Sequence, residues 1–170
     1  MQKYENDCEY LSIISPIMEN EEFKKMGNMR HHNTTRLDHL LKVSYYSYKV
    51  SKSLKLDYRQ TARAGLLHDY YVEEIDDIKS IKDKLVLFSY GHPKKAIENA
   101  KMITTLTEKE EDIIKCHMFP VTLNLPKYLE SWIVSIVDKV LSVKEFYYKF
   151  ESKAAYILDL YLILLFNNLK

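Results

Sequence analysis

Leu37, Leu40, Leu41, Ser44, Tyr48 and Ser51 recur at three- and four-residue spacing through a stretch with neither glycine nor proline. That periodicity predicts one long helix from Thr35 or Arg36 to Leu54. The whole chain shares the bias, with 3 glycines and 4 prolines in 170 residues and Leu, Ile, Lys, Glu and Tyr repeating at helical intervals. The expected fold class is all-α, a single compact bundle of about seven or eight helices forming one domain over residues 1–170.

Local signals divide the rest of the chain. Residues 4–14 and 18–26 read as two short helices separated near Ser15-Pro16, with Gly27-Asn28 as a stop and "MRHHNTTR" as a polar loop. Asp57 followed by Gln60 resembles a capping box, so a central helix should begin there and run to about Tyr71. Ala62, Ala64 and Gly65 would let it pass close to its neighbours. "EEIDDIKSIKDK" reads as a charged connection, and "LVLFSYG" is ambiguous between strand and loop. A helix from Gly91-His92-Pro93 to about Met102 follows from proline at a first helical position. Thr107 and Glu110 form a second capping-box match that places a helix at 108–117, before a break at "FPVTLNLP". A long helix from about 127 to Phe150 and a last one from Lys153 to Phe166 complete the expectation.

Composition bears on function mainly by exclusion. The 25 basic and 24 acidic residues leave a formal charge of +1, which argues against a large nucleic-acid face but permits a local phosphate pocket. Cys8 and Cys116 match no paired zinc or disulfide spacing, so reduced thiols and a cytoplasmic location are expected. The first twenty residues lack the basic-then-apolar order of a signal peptide. "YILDLYLILLF" is too short, and too interrupted by Asp159, to span a bilayer. A helix apolar on nearly every side lies in a core or in a self-association surface, so a homodimer is a possible partner arrangement.

"ARAGLLHDYY" places His68 and Asp69 side by side at the end of a run that otherwise reads as helix interior. A buried carboxylate is costly unless a positive charge meets it. His39, His92 and His117 fall on or beside three other expected helices, and Asp138 sits inside "SWIVSIVDKVLSV" among Trp132, Ile133, Ile136, Val137, Val140 and Leu141. There Asp138 either faces solvent or meets a buried cation, and each of those histidines taken alone reads more readily as an ordinary core or surface residue than as a ligand. Together, imidazoles and carboxylates without thiolate suit first-row divalent metals.

The order His39, His68-Asp69, Asp138, with "AGLLHD" around the pair, resembles the signature of the HD-domain metal-dependent phosphohydrolases, an all-helical superfamily. The resemblance covers roughly residues 30–148. His92 in "YGHP" and His117 in "IIKCHMFP" resemble the branch that holds two metals. It implies two divalent ions, of Fe, Mn, Co, Ni, Mg or Zn, with His39, His68, Asp69 and Asp138 on the first, His92 and His117 on the second, and Asp69 bridging. "TTRLDHLLKVSYYSYKVSKSLKLDYRQTARAGLLHD" and "HPKKAIENAK" are similar to a group of bacterial HD proteins described only as hydrolases. The symmetrical dinucleoside tetraphosphate hydrolases share the two-metal pattern, but many carry a lysine three positions past the aspartate, where this chain has Val72.

The implied activity is hydrolysis of a phosphate ester or anhydride of a small molecule, a nucleotide first among them, by a metal-activated water. Its rival is a non-catalytic HD module that holds a nucleotide or a partner. Besides Asp69, the candidates to touch substrate are Arg36 and Lys42, each about one turn from His39, then Lys139 and Arg63; each of the four taken alone reads more readily as a solvated charge. His32 is the candidate for substrate contact or proton transfer ahead of His31, and Asp76 and Asp77 read as solvated loop residues. No membrane partner is expected.

Overall fold

The computed structural model describes residues 4–25, 30–31, 34–71 and 91–147, with backbone alone at 30–31 and 34–35. The expectations for His32, Val72, residues 73–90 and the segment 153–166 lie outside them. The fold is all-α. In chain order it comprises α1 (Cys8–Met18), α2 (Glu21–Lys24), α3 (Arg36–Ser53), α4 (Tyr58–Leu67), α5 (His92–Ile103), α6 (Glu108–Cys116) and a long helix, α7, described over 129–147. Where a polar loop was expected, Arg30 pairs with Thr35 and His31 with Thr34 in a two-residue antiparallel ladder, the only strand pairing among the described residues.

The caps explain most boundaries. Asp57 accepts the amide of Gln60 at the start of α4, and Gln60 returns its side-chain amide to Asp57. At α6, Thr107 and Glu110 exchange side-chain-to-backbone hydrogen bonds in a full capping box. Two boundaries depart from the sequence reading. Helix α1 runs straight through Pro16, because the carbonyl of Ser12 that proline cannot bond accepts the Ser15 hydroxyl instead, at 3.4 Å. Helix α4 ends at Leu67 rather than near Tyr71, with His68 as its C-cap.

The core sits where α3 and α4 cross. Leu40, Val43, Ala62, Ala64, Leu66 and Leu67 are fully buried, with Ile113, Ile114 and Val134 closing it from α6 and α7. The Tyr10 hydroxyl donates to Ser44 Oγ at 2.9 Å, and Ser44 Oγ donates to the Ala62 carbonyl at 2.7 Å, tying α1, α3 and α4 through one buried chain. Gly65 is what lets the helices approach this closely. A Cβ there would stand 3.0 Å from Ser44 Cα and 3.4 Å from Ser44 N, both rigid backbone atoms. Gly65→Ala is therefore expected to cost about 1–3 kcal/mol despite its better helix propensity. Urea denaturation measures this, and an unchanged midpoint would mean the two helices slide apart freely.

Two buried carboxylates orient α7. Glu130 accepts the Asp57 amide at 3.1 Å and Lys109 Nζ at 2.7 Å, while Asp112 accepts the Lys127 amide at 3.0 Å and Ser131 Oγ at 2.7 Å. The start of α7 is thus fixed against α4 and α6. Glu130, Ser131, Val134, Ser135 and Asp138 consequently face inward.

Candidate metal centre

Two helix ends supply the first pair of imidazoles. His68 is the C-cap of α4 and His117 the C-cap of α6. The last turn of any helix leaves carbonyls without partners. Here His68 Nδ1 donates to the Gly65 carbonyl and His117 Nδ1 to the Ile114 carbonyl, each at 2.7 Å. Each bond fixes the tautomer and turns Nε2, with its lone pair, toward the interior. The negative ends of both helix dipoles lie beside the same cavity, which favours a cation there.

The remaining donors arrive from three other elements. His39 lies near the start of α3, His92 opens α5 and Asp138 comes from the inner face of α7, while Asp69 follows directly on His68. They form two groups. In the first, Asp138 Oδ1 lies 3.1 Å from His39 Nε2 and 3.6 Å from His68 Nε2. In the second, Asp69 Oδ1 lies 3.3 Å from His92 Nε2 and 3.4 Å from His117 Nε2, and those two nitrogens are 2.9 Å apart. Successive ring centroids along His39, His68, His117 and His92 are separated by 5.6, 5.0 and 5.0 Å, so the groups abut.

This geometry suits cations better than hydrogen bonds alone. Donors about 2.1 Å from a shared ion stand about 3.0 Å apart at right angles and about 3.4 Å apart at the tetrahedral angle. The observed separations run from 2.9 to 3.6 Å. His68 Nε2 and Asp69 Oδ1 are both buried without a hydrogen-bond partner, and 3.6 Å is too long for His68 to bond Asp138. Each group offers one ligand atom per residue within a space a single ion could fill. The donor chemistry fits first-row divalent metals.

Charge in the cluster follows burial and pairing. Burial opposes the charged form of His39, but Asp138 and Glu145 outweigh it and push its pKa up to about 10. Burial likewise opposes charge on His117, and Asp69 raises it nonetheless. For Asp69 burial works to raise the carboxyl, yet His117, His68 and His92 hold it well below the usual carboxylate range. Asp138 is lowered the same way by His39 and His68 against the effect of burial.

Glu145, absent from the sequence reading, belongs here. Its Oε2 lies 3.2 Å from His39 Nδ1, and Oε1 lies 3.3 Å from Lys42 Nζ. With Nδ1 facing this carboxylate, Nε2 of His39 is directed at Asp138. The available signal was spacing: Glu145 follows Asp138 by seven residues, two turns along one face of α7.

The basic candidates separate. Arg36 donates to the Tyr71 carbonyl at 2.5 Å and stacks over the Tyr71 ring at 4.2 Å, and that ring lies 5.5 Å from His92. It therefore stands beside the second group. Among the described residues Lys42 reaches the cluster through Glu145. Arg63 turns away, donating to Glu110 Oε1 at 2.7 Å and to Thr104 and Thr105, which corrects its reading as a substrate contact. Lys139 also departs from that reading, since its Nζ donates at 2.6 Å to the His117 carbonyl and thus secures the backbone of a candidate ligand. Asp69 is the most open of the six candidate ligands, its side chain 25% accessible, so solvent reaches the cluster from its side. A separate cavity of about 350 Å³, lined by Ile97, Glu108, Asp112, Cys116 and Leu125, shares no residue with it.

The family described as HD domain matches residues 36–142, which includes all six of these histidines and aspartates. No curated protein and no solved structure matches the chain. Among the described residues no helix is long and apolar enough to cross a membrane.

Proposed function

Because this chain belongs to the HD-domain family of metal-dependent phosphohydrolases, we propose that it binds two divalent ions and hydrolyses a phosphate ester or anhydride of a small molecule, a nucleotide foremost. The single observation that supports this reading is the separation of six donors into two abutting triads, each spaced for one ion. His39, His68 and Asp138 would hold the first ion, and Asp69, His92 and His117 the second. Bound there, divalent ions supply a water of lowered pKa as nucleophile and neutralise phosphoryl oxygens.

The chain's own groups do the rest. Asp69, on the accessible side of the cluster, would accept a hydrogen bond from the attacking water and so orient it, the water's acidity being raised by the ions. Arg36, already held against Tyr71 by a hydrogen bond and by stacking, presents its remaining N–H donors to phosphate at little cost in side-chain order. Lys42 adds positive charge at the edge of the first triad. As the P–O bond to the leaving group breaks, that oxygen takes a proton, and His32 is the proposed donor.

The test is metal analysis of protein purified without chelator or added metal, followed by controlled reconstitution with each candidate ion. Nucleotides and phosphate monoesters are then screened for turnover. About two ions per chain together with hydrolysis is the expected result. Two ions with ligand binding but no turnover for any compound would instead make the chain a binding module, and absence of metal after reconstitution would remove both readings.

A further inference from the structure

Ser135, Asp138, Lys139, Ser142 and Glu145 form one polar stripe on α7, within about 120° of arc at the helical 100° per residue. Its far end serves the first triad. Ser142 Oγ donates to Asp138 Oδ1 at 3.4 Å, and Glu145 faces His39 Nδ1 at 3.2 Å. Its near end reaches the other triad through the main chain of His117. Ser135 Oγ shares its hydrogen between the carbonyls of His117, at 2.9 Å, and Phe119, at 3.0 Å, while Lys139 Nζ donates at 2.6 Å to the same His117 carbonyl.

His117 is 1% exposed and is the C-cap of α6, so its carbonyl is closed to water and has no partner in its own helix. One donor would satisfy it, yet two converge. A lysine is a costly second donor. Its Nζ also donates to Ser135 Oγ at 2.9 Å and to the Ser135 carbonyl at 3.2 Å, so all three of these acceptors are neutral. The half-buried charge is offset by the negative end of α6 and by neighbouring Asp138. What the arrangement achieves is to hold His117 at both ends. Its ring is fixed through Nδ1 by the Ile114 carbonyl, its main chain is fixed by α7, and Nε2 is left aimed at Asp69 and His92. We infer that Lys139, with Ser135, is a positioning residue for the second ion although it adjoins Asp138, a candidate ligand of the first. The inference rests on the two-ion reading above and adds to it that α7 carries the supports of both sites, Glu145 for one and Lys139 for the other.

The full-length chain and its variants are titrated with Zn²⁺ against a fluorescent chelator, and the binding step lost in Asp69→Ala identifies the second site. Lys139→Met keeps the apolar stem of the side chain and removes the ammonium. It is expected to weaken the second step about 10-fold or more and to move the first less than about threefold, the reverse of Glu145→Ala. Lys139→Arg, which keeps the charge and N–H donors, should recover most of the lost affinity. A lysine that only capped α6 would change the melting temperature without separating the two steps. Equal weakening of both steps, or of neither, therefore overturns the proposal. Should Lys139→Met not fold, Ser135→Ala removes the other donor and must weaken the same step; an unmoved second step there overturns the proposal too. A parent chain that takes up no Zn²⁺ would remove the two-ion reading and this inference together, whereas two ions with an unmoved second step in the variants would remove the positioning role alone.

Discussion

Asp69→Ala is expected to release the ion of its own triad and lower any hydrolytic rate on the order of 10³-fold or more. Its Oδ1 is the only carboxylate oxygen within 3.4 Å of both His92 Nε2 and His117 Nε2 among the described residues. Removing it leaves two imidazole nitrogens 2.9 Å apart with no anion to balance a dication. His92→Ala should be milder, because it leaves both Asp69 and His117 in that triad, with the carboxylate that balances the ion's charge. The comparison separates ligand loss from misfolding. Asp69 lies outside the apolar core but faces His92 and His117, so unfolding of metal-free Asp69→Ala is measured against the metal-free parent to show that the variant still folds. Metal content by plasma emission and rate by phosphate release measure the effect. Unchanged metal in Asp69→Ala would sink the two-ion assignment.

Glu145→Ala is expected to weaken the first ion's affinity about 10- to 100-fold while leaving the second ion's nearly unmoved. The carboxylate accepts from His39 Nδ1 and so fixes the ring whose Nε2 faces Asp138. It also raises the electron density of that ring, since an imidazole bonded to an anion is the better donor. Glu145→Gln keeps an acceptor without the charge and should fall between parent and alanine variant. A merely structural role would lower thermal stability without changing one affinity selectively. Competition against a fluorescent chelator resolves the two sites, and equal weakening of both would assign Glu145 to packing instead.

The long helix α3, the cap at Asp57, the capping box at Thr107 and the proline-led start of α5 were all readable in advance, because each signal lies within three or four residues of its partner. The misread boundaries turned on weaker terms. Pro16 does not end α1, since one serine hydroxyl covers the freed carbonyl, and α4 stops early because His68 takes over its capping. The six candidate ligands could be named in order, each being a chemically distinctive residue in an apolar setting. Glu145 could not be, because a glutamate on a lysine-rich stretch of helix has the same local pattern whether it faces water or His39.

Sequence alone determined that this chain is helical, where most helices begin, and which imidazoles and carboxylates needed explaining. Tertiary structure alone decided which cations face the cluster. Arg63 finds Glu110 47 residues away, Lys139 finds the carbonyl of His117, and Arg36 stays beside the second triad. Helix periodicity and capping are set by neighbours along the chain, whereas an ion pair or ligand group is set by which faces meet when α3, α4, α6 and α7 pack. The contact of Gly65 with Ser44 and the anchoring of Glu130 to Asp57 and Lys109 fix those faces, and with them the place of every donor.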